Sequence, residues 1–173
     1  MLTRRRLLGG SAVLAVSALG SWWLFSPSSE SAPDPLPDLP AGVASATFDW
    51  GDDAATDFDP ATPPTADPIV AFDGESGTVS VEGVLTYGSS EGHVIHVQSV
   101  TLDRTADALG VTVSWAEGGP ARSCSDDLAH DPYSLTLQFD TAVPEAVTVT
   151  ERHFEPSAEG DTETRTVQVE RPQ

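Results

Sequence analysis

Short segments of alternating apolar and polar residues dominate the chain after residue 43. In the segment 108–116, for example, Leu109, Val111 and Val113 are separated by glycine and threonine. A period of two places every apolar side chain of a strand on the same face, so each segment predicts a β-strand that is buried on one side only. Seven segments have this pattern: 44–50, 78–88, 93–103, 108–116, 133–140, 146–154 and 162–171.

The connections between these segments are rich in aspartate, glycine, proline and serine, as in 103–107 (DRTAD). Short strands at regular spacing, joined by residues that favour turns, are typical of antiparallel sheets packed face to face. We therefore predict that residues 44–173 form an all-β domain, an immunoglobulin-like antiparallel β-sandwich of about seven strands. Gly83 falls inside the segment 78–88, where it predicts a β-bulge.

Two further regions have the composition of irregular structure. Residues 26–43 contain five prolines. Proline has no backbone N–H and holds the chain extended, so this stretch predicts a tether that rises about 3.1 Å per residue. Residues 51–68 are rich in proline and aspartate, and they predict a long irregular acidic loop inside the domain.

Residues 1–25 have the pattern of a signal or signal-anchor helix. Three arginines at 4–6 precede an uncharged run at 7–25. As a helix this run is about 28 Å long, close to the thickness of the hydrocarbon core of a bilayer. Two tryptophans at 22–23 are typical of the membrane interface and favour an uncleaved anchor through residues 7–25. The small residues at 18–20 are compatible with the alternative, in which a signal peptidase cleaves the chain and releases a secreted form.

The sequence TRRRLL at residues 3–8 places two arginines before a free position and two apolar residues. This arrangement resembles a twin-arginine (Tat) signal, with Arg4, Arg5, Leu7 and Leu8 at the positions of its motif. The resemblance implies export by the Tat translocase, which carries proteins that are already folded.

The charge of the chain limits its solvent and its partners. The part after residue 29 has 27 acidic residues against five arginines, a net charge of −22, and the chain has no lysine. Such self-repulsion is tolerable in concentrated salt, where the Debye length falls to about 3 Å or less. The composition therefore predicts a halophilic protein, and the lack of a basic patch excludes nucleic acid as a partner.

Cys124 and the histidines are the residues best suited to chemistry. Cys124, His130 and either His93 or His96 could supply the thiolate and two imidazoles of a type-1 copper site. The match is poor because the only methionine, the usual axial ligand, is Met1. His93 and His96 would also point to opposite faces of one strand. We expect no cofactor, and the chain contains no catalytic motif for hydrolysis or phosphate binding.

Three stretches together resemble a group of small exported haloarchaeal proteins of uncharacterised function: 81–113, 123–139 and 143–153. The resemblance implies a β-rich envelope or secreted protein and assigns a role to no residue. Members of that group often have a second cysteine in the turn that reads GSSEGH at 88–93 in this chain, where it could pair with the equivalent of Cys124. This chain has no cysteine there, so such a disulfide would be absent.

The sequence as a whole predicts a Tat-exported acidic β-domain on the outer face of a halophilic archaeal membrane, with a structural or protein-interaction role and no catalysis. Its expected partners are the Tat translocase, the membrane through residues 7–25, and an unknown protein of the envelope. The alternative hypothesis is a metal-binding or redox β-domain that uses Cys124 and the histidines.

Overall fold

The computed structural model describes residues 34–54, 66–88, 92–118, 128–155 and 162–172, and these residues form eight β-strands. A single 3₁₀ turn, Gly51–Asp53, follows the first strand, and the described residues contain no α-helix. The all-β prediction is therefore confirmed for this part of the chain. The strands are β1 Val43–Trp50, β2 Ile69–Asp73, β3 Thr78–Tyr87, β4 His93–Asp103, β5 Ala108–Glu117, β6 Ala129–Phe139, β7 Ala146–Phe154 and β8 Thr162–Glu170.

The strands form two four-stranded sheets, in the orders β1-β6-β3-β2 and β4-β5-β7-β8. All neighbours are antiparallel except β5 and β7, which are parallel. The prediction of purely antiparallel sheets is wrong at this pair. Strand direction alternates along the chain, and β6 lies in the other sheet. The two strands on either side of β6 in sequence therefore run the same way when they become neighbours.

Strand direction also gives the structure two distinct ends. At one end β1, β3, β5 and β7 finish and the other four strands begin, and we call it the loop end. At the opposite end, which we call the turn end, tight turns join β2 to β3 and β4 to β5. The four connections that lead from an odd-numbered strand to the next strand all leave from the loop end.

The strand β2 is one more than the sequence predicted. It is short and pairs with β3 in a hairpin whose turn has the same chemistry as that of the β4–β5 hairpin. Asp73 in one turn and Asp103 in the other each accept two backbone N–H bonds through Oδ1. The last turn residue has a positive φ in both, 71° at Gly77 and 48° at Asp107. Glycine and aspartate tolerate this conformation better than most residues.

One core fills the space between the sheets. Its members come from the apolar positions of the predicted alternation, and most have no more than 1% of their surface exposed. This burial of one face per strand confirms the pattern on which the fold prediction depends. The central members are Val79, Val81 and Leu85 of β3, Leu135 and Leu137 of β6, Leu109, Val111 and Val113 of β5, and Val147 and Val149 of β7.

The predicted bulge at Gly83 is wrong. The register of β3 against β6 runs without a break through the pair Gly83 and Tyr133. The register shifts lie elsewhere, between Val43 and Ser45 in β1 and between Val97 and Ser99 in β4. Gly83 has a different role, which depends on the opposite sheet and is described with the site.

Residues 35–42, which we call the clasp, belong to the fold although the sequence placed them in the tether. The backbone N–H of Val97 in β4 donates to the carbonyl oxygen of Pro35 at 2.9 Å. Leu36 and Leu39 pack against the core. Because β1 and β4 are the edge strands of the two sheets on this side, the clasp covers the seam between them. The described part of the predicted tether is therefore not a free linker.

Three arginines join separate segments of the chain by donating to backbone carbonyl oxygens. A guanidinium has several donors in a fixed plane, and so it can reach a carbonyl and still bond to other groups. Each bond links a strand or a turn to a piece of chain that no strand pairing holds. The bonds run from Arg104 to Ala41 at 2.9 Å, from Arg165 to Ala66 at 3.1 Å and from Arg171 to Val143 at 2.9 Å.

The signal at 1–25, the tether up to residue 33 and most of the acidic loop lie outside the described residues. In the part of the chain that the structure does describe, there is no helical segment with the length and apolarity of a membrane span.

Replacing both Leu36 and Leu39 by alanine is expected to lower the free energy of unfolding by about 2–4 kcal/mol, because two half-buried side chains lose their core contacts. Urea unfolding at constant multimolar salt, followed by tryptophan fluorescence, measures the change. Asp38→Ala is the matched control, since Asp38 lies between the two leucines and is exposed. A double variant as stable as the control would show that the clasp does not support the fold.

Candidate functional site

Two buried ionisable side chains lie on β7, near the loop end. Glu151 has no exposed surface and His153 has 3%. They continue the inward-facing row of Val147 and Val149, because every second residue of a strand points to the same face. The alternation in the sequence predicted this strand but assigned no role to its carboxylate. The position of Glu151 within the alternation is the signal that could have identified it.

Glu151 is bonded to side chains from three strands. The hydroxyl of Tyr133 on β6 donates to Glu151 Oε1 at 2.8 Å. His153 Nε2 lies 3.2 Å from Glu151 Oε2, and Arg165 Nη1 of β8 lies 3.8 Å from the same oxygen. We call these four residues the Glu151 cluster. Tyr133 belongs to one sheet and the other three to the second, so the cluster links the two sheets through polar bonds.

The hydrogen bonds of His153 fix its tautomer. The backbone N–H of Thr86 donates to His153 Nδ1 at 3.2 Å. A nitrogen that accepts a hydrogen bond carries no proton, so the ring proton is on Nε2 and is donated to Glu151. The imidazole is therefore neutral, and the charges of Glu151 and Arg165 balance. A buried carboxylate is tolerable under these conditions, since it is both paired and hydrogen-bonded.

The bond from Thr86 also provides an acceptor for a backbone N–H group of β3. The pairing of β2 with β3 ends at Ile69 and Glu82. Beyond that point no described residue pairs with β3 on this side, and its inner amide groups need other acceptors. His153 of the opposite sheet supplies one of them. The cluster thus supplies one of the hydrogen bonds that the short strand β2 does not provide.

Burial keeps both tyrosines of this region protonated. The pKa of the Tyr133 hydroxyl is raised well above its ordinary value, first by burial and then by the negative charge of Glu151, while Arg165 opposes the shift. The pKa of Tyr87 is also raised, first by burial and then by the carboxylate of Asp131, to which its hydroxyl donates. Both phenols therefore act as hydrogen-bond donors and not as acid–base groups near neutral pH.

Gly83 makes room for the cluster. A Cβ atom at this position would lie 2.5 Å from Glu151 Oε1 and 2.6 Å from the Tyr133 hydroxyl oxygen. Both distances are below any ordinary contact with a Cβ, and the two oxygens are those of the cluster's shortest bond. A residue with a side chain would therefore push Tyr133 and Glu151 out of position.

Of the predicted site residues, His93 and His96 both lie on β4. The strand begins at His93, so the two side chains leave opposite faces, as their spacing predicted. The ring of His93 packs against that of Trp115 with centroids 5.3 Å apart. His96 Nδ1 is buried without a hydrogen-bond partner among the described residues, and burial lowers the pKa of this histidine.

Of the other predicted residues, His130 is the one that the structure describes. His130 lies on β6, where its Nδ1 is 3.0 Å from the hydroxyl of Thr86. Cys124 and the signal residues Arg4, Arg5, Leu7 and Leu8 lie outside the described residues. Within the described ranges, no three or more histidine, cysteine, aspartate or glutamate side chains are grouped so that they could hold a metal ion.

The polar atoms of the Glu151 cluster are committed to one another. Tyr133 and both oxygens of Glu151 bond inside the cluster, and His153 uses its second nitrogen for the backbone of Thr86. Only Arg165 reaches the surface, with 18% of its side chain exposed, and it also donates to the carbonyl of Ala66. The arrangement has the residue types of an acid–base site but the geometry of a structural link.

Comparison with known proteins finds no family model, no curated protein and no solved structure that matches the chain.

Gly83→Ala is expected to lower the free energy of unfolding by about 3 kcal/mol, because the added methyl group overpacks the space between the sheets and displaces a buried hydrogen bond. Urea unfolding at constant salt measures the loss. Gly74→Ala is the matched control, since a Cβ atom there has no neighbour within 4 Å. If both variants lost the same small amount, the close packing around Gly83 would be contradicted.

Proposed function

We propose that this protein is a Tat-exported module of a halophilic archaeal envelope, anchored to the outer face of the membrane by residues 7–25. The remaining tether, residues 26–34, leads to an acidic β-domain with a structural or protein-interaction role. We infer that its two sheets are the layers of a β-sandwich, immunoglobulin-like in its two-layer packing, and the core that both sheets share supports this inference.

The observation that carries this proposal is the closed bonding of the Glu151 cluster. An acid–base or nucleophilic site needs groups that can reach a substrate. Here the buried ionisable groups bond to each other and tie two sheets together. Their chemistry serves the rigidity of the domain, which is what a presented module requires.

The distribution of charge supports the halophilic part of the proposal. The described strands and turns carry their carboxylates mostly at exposed positions. Arg104, Arg165 and Arg171 each donate to a backbone carbonyl, and the five arginines after residue 29 are far outnumbered by the 27 acidic residues there. Concentrated salt screens the repulsion between such carboxylates, and a surface of this kind does not attract the phosphates of a nucleic acid.

Export through the twin-arginine route is tested by replacing Arg4 and Arg5 with lysine. The substitution keeps the positive charge that orients an anchor but removes the paired guanidinium groups. We expect the unaltered chain in the membrane fraction of a haloarchaeal host, open to protease added outside the cells. The double variant should remain protected inside. Arg6→Lys, at the free position of the motif, is the control and should be exported normally.

Three outcomes would contradict parts of this proposal. Normal export of the double variant would exclude the twin-arginine route. Recovery of a shortened soluble chain from the medium would exclude the anchor. Metal bound at about one ion per purified chain, and lost in Cys124→Ser, would replace the structural role by the alternative metal-binding one.

A further inference from the structure

The side of the β4-β5-β7-β8 sheet that points away from the core, which we call the outer face, has an uncharged centre. Its residues alternate along each strand with the buried core positions. Two rows of paired residues cross the centre, and none of their eight side chains is ionisable, although 20% of the residues of the chain are charged. The rows are Thr101, Gly110, Thr148 and Gln168, and Ser99, Thr112, Thr150 and Thr166.

The charges of the outer face lie at its two ends and have opposite signs. At the loop end Arg152 points outward, because its neighbours Glu151 and His153 point into the core. Arg152 is exposed, and among the described residues it forms no ion pair. At the turn end the outer face finishes with two exposed carboxylates, Asp103 on β4 and Glu170 on β8.

We propose that the outer face binds the same face of a second copy of this chain, in a two-fold symmetric dimer. The two-fold axis lies in the interface, perpendicular to the strands and between the two uncharged rows. Each uncharged row then lies over the other, and each loop end lies over the turn end of the second copy. Arg152 meets the carboxylate of Glu170 in the second copy, and the symmetry forms this ion pair twice. The inference names a partner for the proposed protein-interaction role but depends neither on export nor on the anchor.

The spacing along β7 supports this axis. Arg152 is six residues from Ala146, which pairs with Glu170, and at the rise of a β-strand this is about 20 Å. An axis midway between them places Arg152 over Ala146 of the second copy, with Glu170 on the next strand, about 5 Å to the side. An axis parallel to the strands would instead bring the two copies of Arg152 together, and like charges repel.

A depression at the turn end of the outer face has room for the incoming guanidinium. Ala108, Ala146 and Glu170 line it, and the two alanines have short side chains. Arg171 also lines this depression, but its guanidinium donates to the carbonyl oxygen of Val143 at 2.9 Å. No described side chain forms an ion pair with Glu170, so its carboxylate is open to Arg152 of the second copy.

The uncharged centre can be covered at low cost. The hydroxyls of Thr150 and Thr166 are hydrogen-bonded to each other at 3.3 Å, and so they keep a partner when water is removed. Threonine, serine and glycine have short side chains, which lose little conformational freedom and allow two sheets to pack about 10 Å apart.

The outer face of the other sheet lacks this complementarity. Its charged positions among the described residues are Asp49, Asp73 and Glu82, all of them acidic, so two copies would repel each other there. Concentrated salt removes the long-range repulsion between two acidic chains, whereas ion pairs enclosed in an interface are screened much less. The contacts of the outer face therefore decide whether two copies associate.

The size of the outer face indicates a weak, reversible dimer. Four strands across and seven residues along each strand cover about 19 Å by about 24 Å, which is about 450 Å² for each copy. The total of about 900 Å² is below the range of about 1,200–2,000 Å² that stable interfaces bury.

Exchanging charges across the axis tests the dimer. The full chain, carrying Cys124→Ser and Thr136→Cys, is labelled at position 136, which is exposed on the other sheet. Donor-labelled and acceptor-labelled chains are mixed in detergent and multimolar salt, over a series of concentrations up to millimolar. Energy transfer between the labels measures association, and circular dichroism checks that each variant is folded.

We expect Arg152→Glu and Glu170→Arg each to weaken association at least about tenfold, because each brings like charges together at both pairs. A mixture of the two variants, one with the donor and one with the acceptor, should associate as the unaltered chain does. In the mixed dimer both pairs join opposite charges. Glu75→Arg, in the β2–β3 turn, makes the same change of net charge as Glu170→Arg and should have no effect.

Three results would overturn the inference. An unaltered chain that shows no transfer at millimolar concentration does not form the dimer. Unchanged transfer in both single variants would place the association elsewhere, for example in the apolar run at residues 7–25. Loss of transfer in the single variants without recovery in their mixture would contradict the two-fold arrangement. None of these results bears on export, which the substitutions at Arg4 and Arg5 test separately.

Discussion

A carboxylate buried between two sheets has to be neutralised and hydrogen-bonded inside the protein, and much of this structure follows from meeting that requirement for Glu151. Tyr133 and His153 donate to it, and Arg165 balances its charge. His153 in turn has to stay neutral, which the backbone N–H of Thr86 ensures by occupying its other nitrogen. Gly83 has to lack a side chain for the Tyr133 bond to form. One buried charge thus constrains residues on four strands.

The same requirement explains how a chain without lysine uses its few arginines. A strongly acidic surface suits concentrated salt but supplies few cations for the interior. Arg165 both balances Glu151 and holds the carbonyl of Ala66, which places the chain leading into β2 beside β8. Arg104 does the equivalent for the clasp on the opposite seam. The arginines therefore act where strand pairing ends, and a lysine could not replace the planar set of donors that reaches both kinds of partner.

Local patterns in the sequence predicted most of the strands, because alternation depends only on which face of each strand is buried. The missed strand β2 leads into DGESG at 73–77, whose aspartate and spacing match DRTAD at 103–107. The β2–β3 hairpin could therefore have been predicted from the sequence. The burial of Glu151 could also have been predicted, because Glu151 continues the row of Val147 and Val149. The pairing of β5 with β7 and the contacts of Gly83 were not, since both depend on segments far away in the chain. The export signal, and Cys124 as a candidate metal ligand, remain predictions from the sequence alone.

Glu151 holds the two sheets together, whereas an exposed carboxylate such as Glu163 does not. This difference is tested most directly by comparing the unfolding free energies of Glu151→Gln and Glu163→Gln in the same salt. Glu163 lies opposite His153 on β8 but is exposed. We predict that Glu151→Gln loses about 3 kcal/mol, because Arg165 is left as an uncompensated charge, and that Glu163→Gln is neutral or slightly stabilising. Equal effects of the two substitutions would contradict the claim.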